Sequence, residues 1–258
     1  MLVISNGAIK SGSTWLYNIL FNLAAFERPP DQYLTINSKA RKRNPCIQPE
    51  MLARFLANED IASTHYLSKN HIGRAEHRDM LRSNPDVAVF DIERDVRDMV
   101  VSAYYDECNR NDYRGDFGEY YWQIGRYVVD DVNRYHDLWR TFGDNFCMVS
   151  YERLHTDFAA EVKRIASVLR VAADDDTIAS VHEKTTITSL RDRYQDETLY
   201  AGEKFFRKGV VGDWKHHLDS AMLRDISKIQ KKGVSAFDGR RLLKRLGLGS
   251  TGGYSGRG

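Results

Sequence analysis

An α/β fold in three layers, a central and mainly parallel sheet flanked by helices, is what this 258-residue sequence predicts. An apolar first segment, Met1 to Ser5, runs through a glycine-containing loop into Leu16, Ile19, Leu20 and Leu23, which recur at helical spacing. Val87-Ala88-Val89-Phe90-Asp91-Ile92 is an almost continuous apolar run, the pattern of a strand covered on both faces. Strand-like and helix-like segments then alternate with no internal repeat.

Taken in order, the first strand and helix end at Pro29-Pro30, and an irregular excursion follows to about Pro49, which starts a short helix through Asn58. Ile61 to Tyr66 reads as the second strand and Arg74 to Arg82 as a helix closed by the Asn84-Pro85 turn. After the strand at Val87–Ile92, Asp95 caps a helix with Val96, Met99, Val100 and Ala103 on one face. A long helix spans Tyr120 to Phe142, a strand Asn145 to Tyr151, and helices Phe158–Leu169 and Asp175–His182. Thr185 to Asp213 reads as mostly loop, and Ser220 to Lys231 as the last helix. One domain over residues 1–246 and a flexible Gly/Ser-rich tail over 247–258 are expected.

With 42% hydrophobic and 29% charged residues, general disorder is excluded. A net charge of +2 argues against nucleic acid as a partner, and the local cluster Lys39-Ala40-Arg41-Lys42-Arg43 suits a solvated loop better than an anion-attracting surface. Cys46, Cys108 and Cys147 are odd in number and widely spaced, so neither a disulfide framework nor a zinc site is indicated, and a reducing compartment fits. The apolar run Trp15 to Phe26 is broken by Asn18 and Asn22 and is too short to span a membrane, and cleavage after it would discard the loop that precedes it. A cytoplasmic protein without an anchor is expected.

The loop itself is the chemical signal. Gly7 and Gly12 have the glycine spacing of a nucleotide-binding P-loop, but Ser13 stands where that motif requires lysine, and the lysine is Lys10. A strand-loop-helix turn aims backbone N–H groups and a helix N-terminus at an anion, and the displaced lysine argues against a magnesium-bound triphosphate. Lys10-Ser11-Gly12-Ser13-Thr14-Trp15 resembles the 5′-phosphosulfate loop of sulfotransferases, which use 3′-phosphoadenosine 5′-phosphosulfate (PAPS) as donor and release 3′,5′-adenosine bisphosphate (PAP). Arg94 and Ser102, eight residues apart around a strand-to-helix junction, resemble that family's 3′-phosphate motif; the arginine fork suits a phosphate and the serine adds a neutral donor. Tyr151-Glu152-Arg153-Leu154 is similar to the family's Tyr-Glu-Asp-Leu segment by the adenine. Arg207-Lys208-Gly209-Val210-Val211-Gly212-Asp213-Trp214-Lys215 closely matches its Arg-Lys-Gly-x-x-Gly-Asp-Trp-Lys block, in which a glycine lets the backbone approach the 3′-phosphate. These segments occur in the family's order over residues 4 to 215.

The resemblance implies a P-loop-type fold and metal-independent, in-line sulfuryl transfer to an acceptor hydroxyl or amine. Lys10 would contact the 5′-phosphate or bridging oxygen and Trp15 would pack on the adenine. His65 is the expected base, because Thr64-His65-Tyr66-Leu67 resembles the family's Lys-Thr-His-Leu-Pro segment; His71 and His77 are the fallbacks. Ser63 occupies the place of the family's lysine, a role Lys69 is near enough in sequence to take over. Thr185-Thr186-Ile187 stands for the family's Thr-Ser-Phe, which assigns Thr185 to the nucleotide. The acceptor is expected to be a small molecule, a glycan or a lipid-like alcohol; the aromatic residues from Tyr104 to Trp122 either line its pocket or form helix core. The family's C-terminal dimerisation motif is not recognisable, which leaves a homodimer open. The competing readings are a P-loop kinase or nucleotidase, with Asp91 as a Walker B aspartate, and a non-catalytic nucleotide-binding relative.

Overall fold

The structure, a computed structural model, describes residues 1–36, 43–140, 145–195 and 206–233. Its sheet has four parallel strands, β1 (Leu2–Gly7), β2 (Tyr66–Lys69), β3 (Val87–Glu93) and β4 (Phe146–Ser150), in the order β2-β1-β3-β4. The chain leaves β1 toward one neighbour and later returns to the other, so β1 is the topological switch point where an open α/β sheet forms its binding crevice.

The helices are α1 (Ser13–Leu23), α2 (Leu52–Asn58), α3 (Ala75–Arg82), α4 (Val96–Arg110), α5 (Phe117–Tyr120), α6 (Arg126–Trp139), α7 (Tyr151–Thr156), α8 (Phe158–Leu169), α9 (Asp175–Lys184), α10 (Ile187–Tyr194) and α11 (Ser220–Lys232). Alternation along the strands divides the core as a pleat must. Leu2, Ile4, Val87 and Val89 face a cluster built with α2, α3, α4, α6 and α11, while Val3, Ala88, Phe90, Ile92, Cys147 and Val149 face α1, α8 and α9. The three-layer, mainly parallel architecture expected from the sequence is therefore the one found.

Four elements differ from expectation, one being α7, which starts at Tyr151, where the sequence predicts the last residue of a strand. The second strand starts at Tyr66, because Asp60 closes a turn, accepting from Ser63 N through its side chain and from Thr64 N through its carbonyl, and Tyr66 pairs with Leu2. Ile187–Tyr194 is a helix rather than loop, with the Thr186 side chain capping Ser189 N. The long helix begins earlier, at Phe117, behind an Asp116/Glu119 capping box, and carries a π turn at Tyr121–Gly125. Residues 141–144, the basic residues 39–42 and the tail at 247–258 lie outside the described residues. None of the three cysteines is in a disulfide.

Candidate active site

At the C-terminal end of β1 the backbone turns sharply into α1. Lys10 has φ 67° and Gly12 φ 103°, the left-handed region that a glycine enters without steric cost. A Cβ on Gly12 would stand 2.7 Å from Tyr151 Cδ2, so the glycine also makes room for the ring. Trp15 N donates to Gly12 O at 2.8 Å, the Ser5 hydroxyl braces Ser13 O at 3.2 Å, and no side chain caps the helix. The first N–H groups of α1 therefore point into the crevice without a side-chain acceptor, as anion binding requires. Ser13 and Thr14 are buried in the first turn.

Arg94, just beyond β3, binds the predicted segments together. Its Nη1 donates to Lys10 O at 3.3 Å, its Nη2 to Val210 O at 3.1 Å, and its guanidinium lies 4.1 Å above the Tyr151 ring. Tyr151 meets Trp15 edge-on at 5.4 Å, with His155 4.9 Å from the same indole. Ser102, two turns along α4, is half-buried. Ser11 Oγ, Trp15 Nε1 and Arg94 Nε are buried with no hydrogen-bond partner among the described residues. Three orphaned polar atoms around one glycine turn fit a phosphate-bearing nucleotide, because each would otherwise carry an unreturned desolvation cost.

The loop carrying Arg207, Lys208 and Gly209 is held against α4 by Asp98. That carboxylate is 1% exposed and accepts from Gly212 N at 2.7 Å and Trp214 N at 2.9 Å, while Arg97 stacks 3.8 Å over Trp214. Arg207 and Lys208 both bond to Asp213, Lys208 at 2.8 Å, and Arg207 also covers the Tyr105 ring at 4.0 Å. Although burial opposes it, hydrogen bonds from Lys208 and Arg207 bring Asp213 down to about 2. Gly209 has φ 61°, and a Cβ there would meet Ile187 Cδ1 at 2.8 Å. Thr185 is less suited to its assigned role, since its hydroxyl donates into α9, to Val181 O at 2.8 Å.

His65 does not reach this site. It precedes β2 at the level of Met1, is exposed, and lies at the end of the sheet opposite the loop, roughly 20 Å away at the rise of a strand. Lys69, the last residue of β2, and His71, two residues on, stand instead at the loop's end of the sheet. His71 Nδ1 is 2.6 Å from Gly7 O and its Nε2 is 3.2 Å from Lys69 Nζ. A carbonyl can only accept and an ammonium can only donate, so these partners dictate a neutral imidazole with its proton on Nδ1 and a lone pair on Nε2. Desolvation first, then the charge of Lys69, hold its pKa well below the ordinary value, although the residue is exposed. Lys10 Nζ pairs with Asp106 of α4 at 3.1 Å, and Arg110 grips the same carboxylate with Nε at 2.9 Å and Nη2 at 2.6 Å. Burial lowers the Lys10 pKa against the opposing pull of Asp106.

Asp91 is not aimed at the loop. It is fully buried on the face away from α1, where its Oδ1 accepts from Asn6 Nδ2 at 2.9 Å and the Tyr135 hydroxyl at 2.6 Å, which removes the Walker B reading. Most of the aromatic run is core: Tyr120 and Tyr121 are inaccessible, and Tyr104 packs edge-on against Tyr113 and Phe117. Among the described residues there is no group of three or more His, Cys, Asp or Glu able to hold a metal ion, and no helix long and apolar enough to cross a membrane.

This is an α/β protein of the P-loop type. Residues 3–239 match the family model of the sulfotransferase domain, and the chain belongs to that family. Sulfotransferase 6B1 of Pan troglodytes is 27% identical over 219 residues, 80% of this chain and 67% of its own. Cytosolic sulfotransferase 7 of Arabidopsis thaliana is 26% identical over 255 residues, 89% of this chain and 77% of its own. The crystal structure of mouse sulfotransferase SULT7A1 complexed with PAP superposes with a TM-score of 0.67 at 18% identity, covering 96% of this chain and 88% of its own. Retinol dehydratase in complex with androsterone and inactive cofactor PAP gives 0.62 at 17% identity, covering 93% and 82%.

Proposed function

We propose that this sulfotransferase moves the sulfuryl group of PAPS, in line and without a metal, to the hydroxyl or amine of a small-molecule acceptor in the cytoplasm. The observation that carries this reading is the convergence on Arg94, whose side chain joins the Lys10 loop, the Val210 loop and Tyr151. Lys10, Ser11, Gly12, Ser13 and Thr14 receive the 5′-phosphosulfate. Arg94, Ser102, Arg207, Lys208 and Gly209 receive the 3′-phosphate, and Trp15 and Tyr151 hold the adenine. Thr185 belongs to the wall behind it. Androsterone and retinol in complexes of a structural neighbour support a lipid-like alcohol as acceptor.

His71, in place of His65, acts as the base. Its Nε2 takes the acceptor proton as the acceptor oxygen bonds to sulfur, and the bond from sulfur to the 5′-phosphate oxygen breaks with its electron pair left on that oxygen. Lys10 and Lys69 stabilise the charge that develops there, the part a metal ion plays in other transferases.

The test has two arms. Calorimetric titration with PAP in EDTA should give binding that weakens about tenfold or more in Lys208→Ala, with magnesium ATP a poor ligand. An acceptor screen with PAPS should then show transfer lost in His71→Ala, with PAP binding kept, and unaffected in His65→Ala. Preference for magnesium ATP would return the chain to the kinase-like reading; PAP binding without transfer to any acceptor would make it a nucleotide-binding relative.

A further inference from the structure

The buried carboxyl of Asp91 has no role in the chemistry above, yet it is one residue removed from contact with the base loop. Asn6 stands opposite it in the β1–β3 register. The Asn6 amide is oriented without ambiguity, since Nδ2 faces a carboxylate that accepts at 2.9 Å and Oδ1 faces Ile72 N, which donates at 2.9 Å. Ile72 follows His71, and Gly7, whose carbonyl receives His71 Nδ1 at 2.6 Å, follows Asn6. Two successive residues at the end of β1 thus hold two successive residues beyond β2. Trp139 Nε1 clasps Ile72 O at 2.8 Å from the far side.

We propose that Asp91 and Asn6 form a buried positioning pair that fixes the tautomer and aim of His71. This rests on the reading of His71 as the base. Without the acceptor at Asp91, the Asn6 amide is free to rotate, Ile72 N loses its partner, and the segment carrying the imidazole loses one of its three ties to β1, keeping Asn70 N on Ser5 O and His71 Nδ1 on Gly7 O. The pair also makes the base loop sensitive to pH. Asp91 is faced by Asn6 from β1, by the Tyr135 hydroxyl from α6 and by Met148 from β4, and it senses Glu93 along its own strand. Burial raises it to about 7 despite hydrogen bonds from Tyr135 and Asn6, and its Oδ2 finds no partner among the described residues. Protonation near neutrality weakens the bond that orients Asn6. His71 itself is surrounded by Lys69, Lys10 and Arg110 and stays neutral through that range.

The experiment compares the parent with Asp91→Ala, Asp91→Asn and Asn6→Ala, measuring PAP affinity, kcat against pH, and the imidazole nitrogen NMR shifts of His71. Asp91→Ala and Asn6→Ala should bind PAP within about twofold of the parent, lose kcat by roughly 10- to 100-fold, and show His71 as a mixture of tautomers. Asp91→Asn still offers an oxygen to Tyr135 and Asn6, so it should keep most of kcat at high pH while losing one ionisation from the profile. Should Asp91→Ala not fold, Asn6→Ala carries the same test with no carboxylate altered. A single Nδ1-protonated tautomer in every variant, or an Asp91→Asn profile identical to the parent's, would overturn the proposal. His71→Ala with full transfer activity would overturn the underlying reading instead, and the NMR arm would still report on the pair.

Discussion

Replacing Asp98 by Asn isolates what docks the loop carrying Arg207, Lys208 and Gly209, the proposed seat of the 3′-phosphate. The carboxylate sits in the first turn of α4, is 1% exposed, and receives two backbone N–H groups at 2.7 and 2.9 Å from residues on either side of Asp213. Hydrogen bonds to a charged group contribute about 1.5–3 kcal/mol each. An amide of the same shape presents one oxygen and one NH2, so it keeps one bond, now neutral, and sets a donor against a donor at the other. The lost bond and the unpaired N–H together remove about 2–4 kcal/mol from the docked loop, partly recovered by water as the loop loosens. Half of that reappearing as undocking would weaken PAP by roughly 5- to 30-fold in calorimetric titration, at about 1.4 kcal/mol per factor of ten. Arg207 and Lys208 are untouched, so the loss measures their placement, not their charge. Parent-like affinity in a folded Asp98→Asn protein would refute the reasoning, leaving Arg191 on Phe206 O and Arg94 on Val210 O as the ties that matter.

Gly12→Ala puts a Cβ 2.7 Å from the Tyr151 ring at φ 103°, a combination that costs about 1–3 kcal/mol; a lowered melting temperature together with weakened PAP binding checks it. Asp106→Asn removes the carboxylate that counters burial at Lys10, so the Lys10 pKa falls further and the alkaline loss of kcat moves to lower pH. Asp213 has a folded pKa depressed from 3.8 to about 2, so its contribution, on the order of 2 kcal/mol, is present above pH 4 and lost as pH falls through 2. Acid unfolding of Asp213→Asn should lack that segment of the stability curve.

The parts of the site legible in the sequence are those written in short contiguous arrays. Gly7 and Gly12 around Lys10, Arg94 at the end of an apolar strand, and Arg207-Lys208-Gly209 are local patterns whose spacing survives without knowledge of the fold, and the structure brings them together. His65 failed because strand register is not local. A shift of a few residues in where β2 begins carried the expected base from the crevice to the opposite end of the sheet, and only pairing with β1 sets that start. Asp60 was the available signal, since an aspartate that caps its own turn ends the preceding segment rather than opening a strand. With the strand moved, Lys69-Asn70-His71-Ile72 has the Lys-x-His order that Ser63-Thr64-His65 lacks. The helix at Ile187–Tyr194 escaped notice because it buries only Leu190 and Tyr194, too narrow a stripe to outweigh its charged residues.

What no linear pattern shows is how the cations of the proposed anion site are held close together. Arg207 and Lys208 share Asp213, Lys10 shares Asp106 with Arg110, and Arg94 is spread over two carbonyls and a ring. Each partner lowers the cost of holding like charges close together in a partly desolvated crevice, and each is also a competitor that an incoming phosphate must displace or share. The two effects have opposite signs and separate in one variant. Asp213→Asn should melt below the parent when ligand-free, because two cations lose their counter-charge, yet gain more from saturating PAP, because the 3′-phosphate then meets cations with no carboxylate between them. A smaller PAP-induced shift than the parent's would mean that Asp213 holds Arg207 and Lys208 in their binding geometry, and that pre-organisation outweighs competition in this loop.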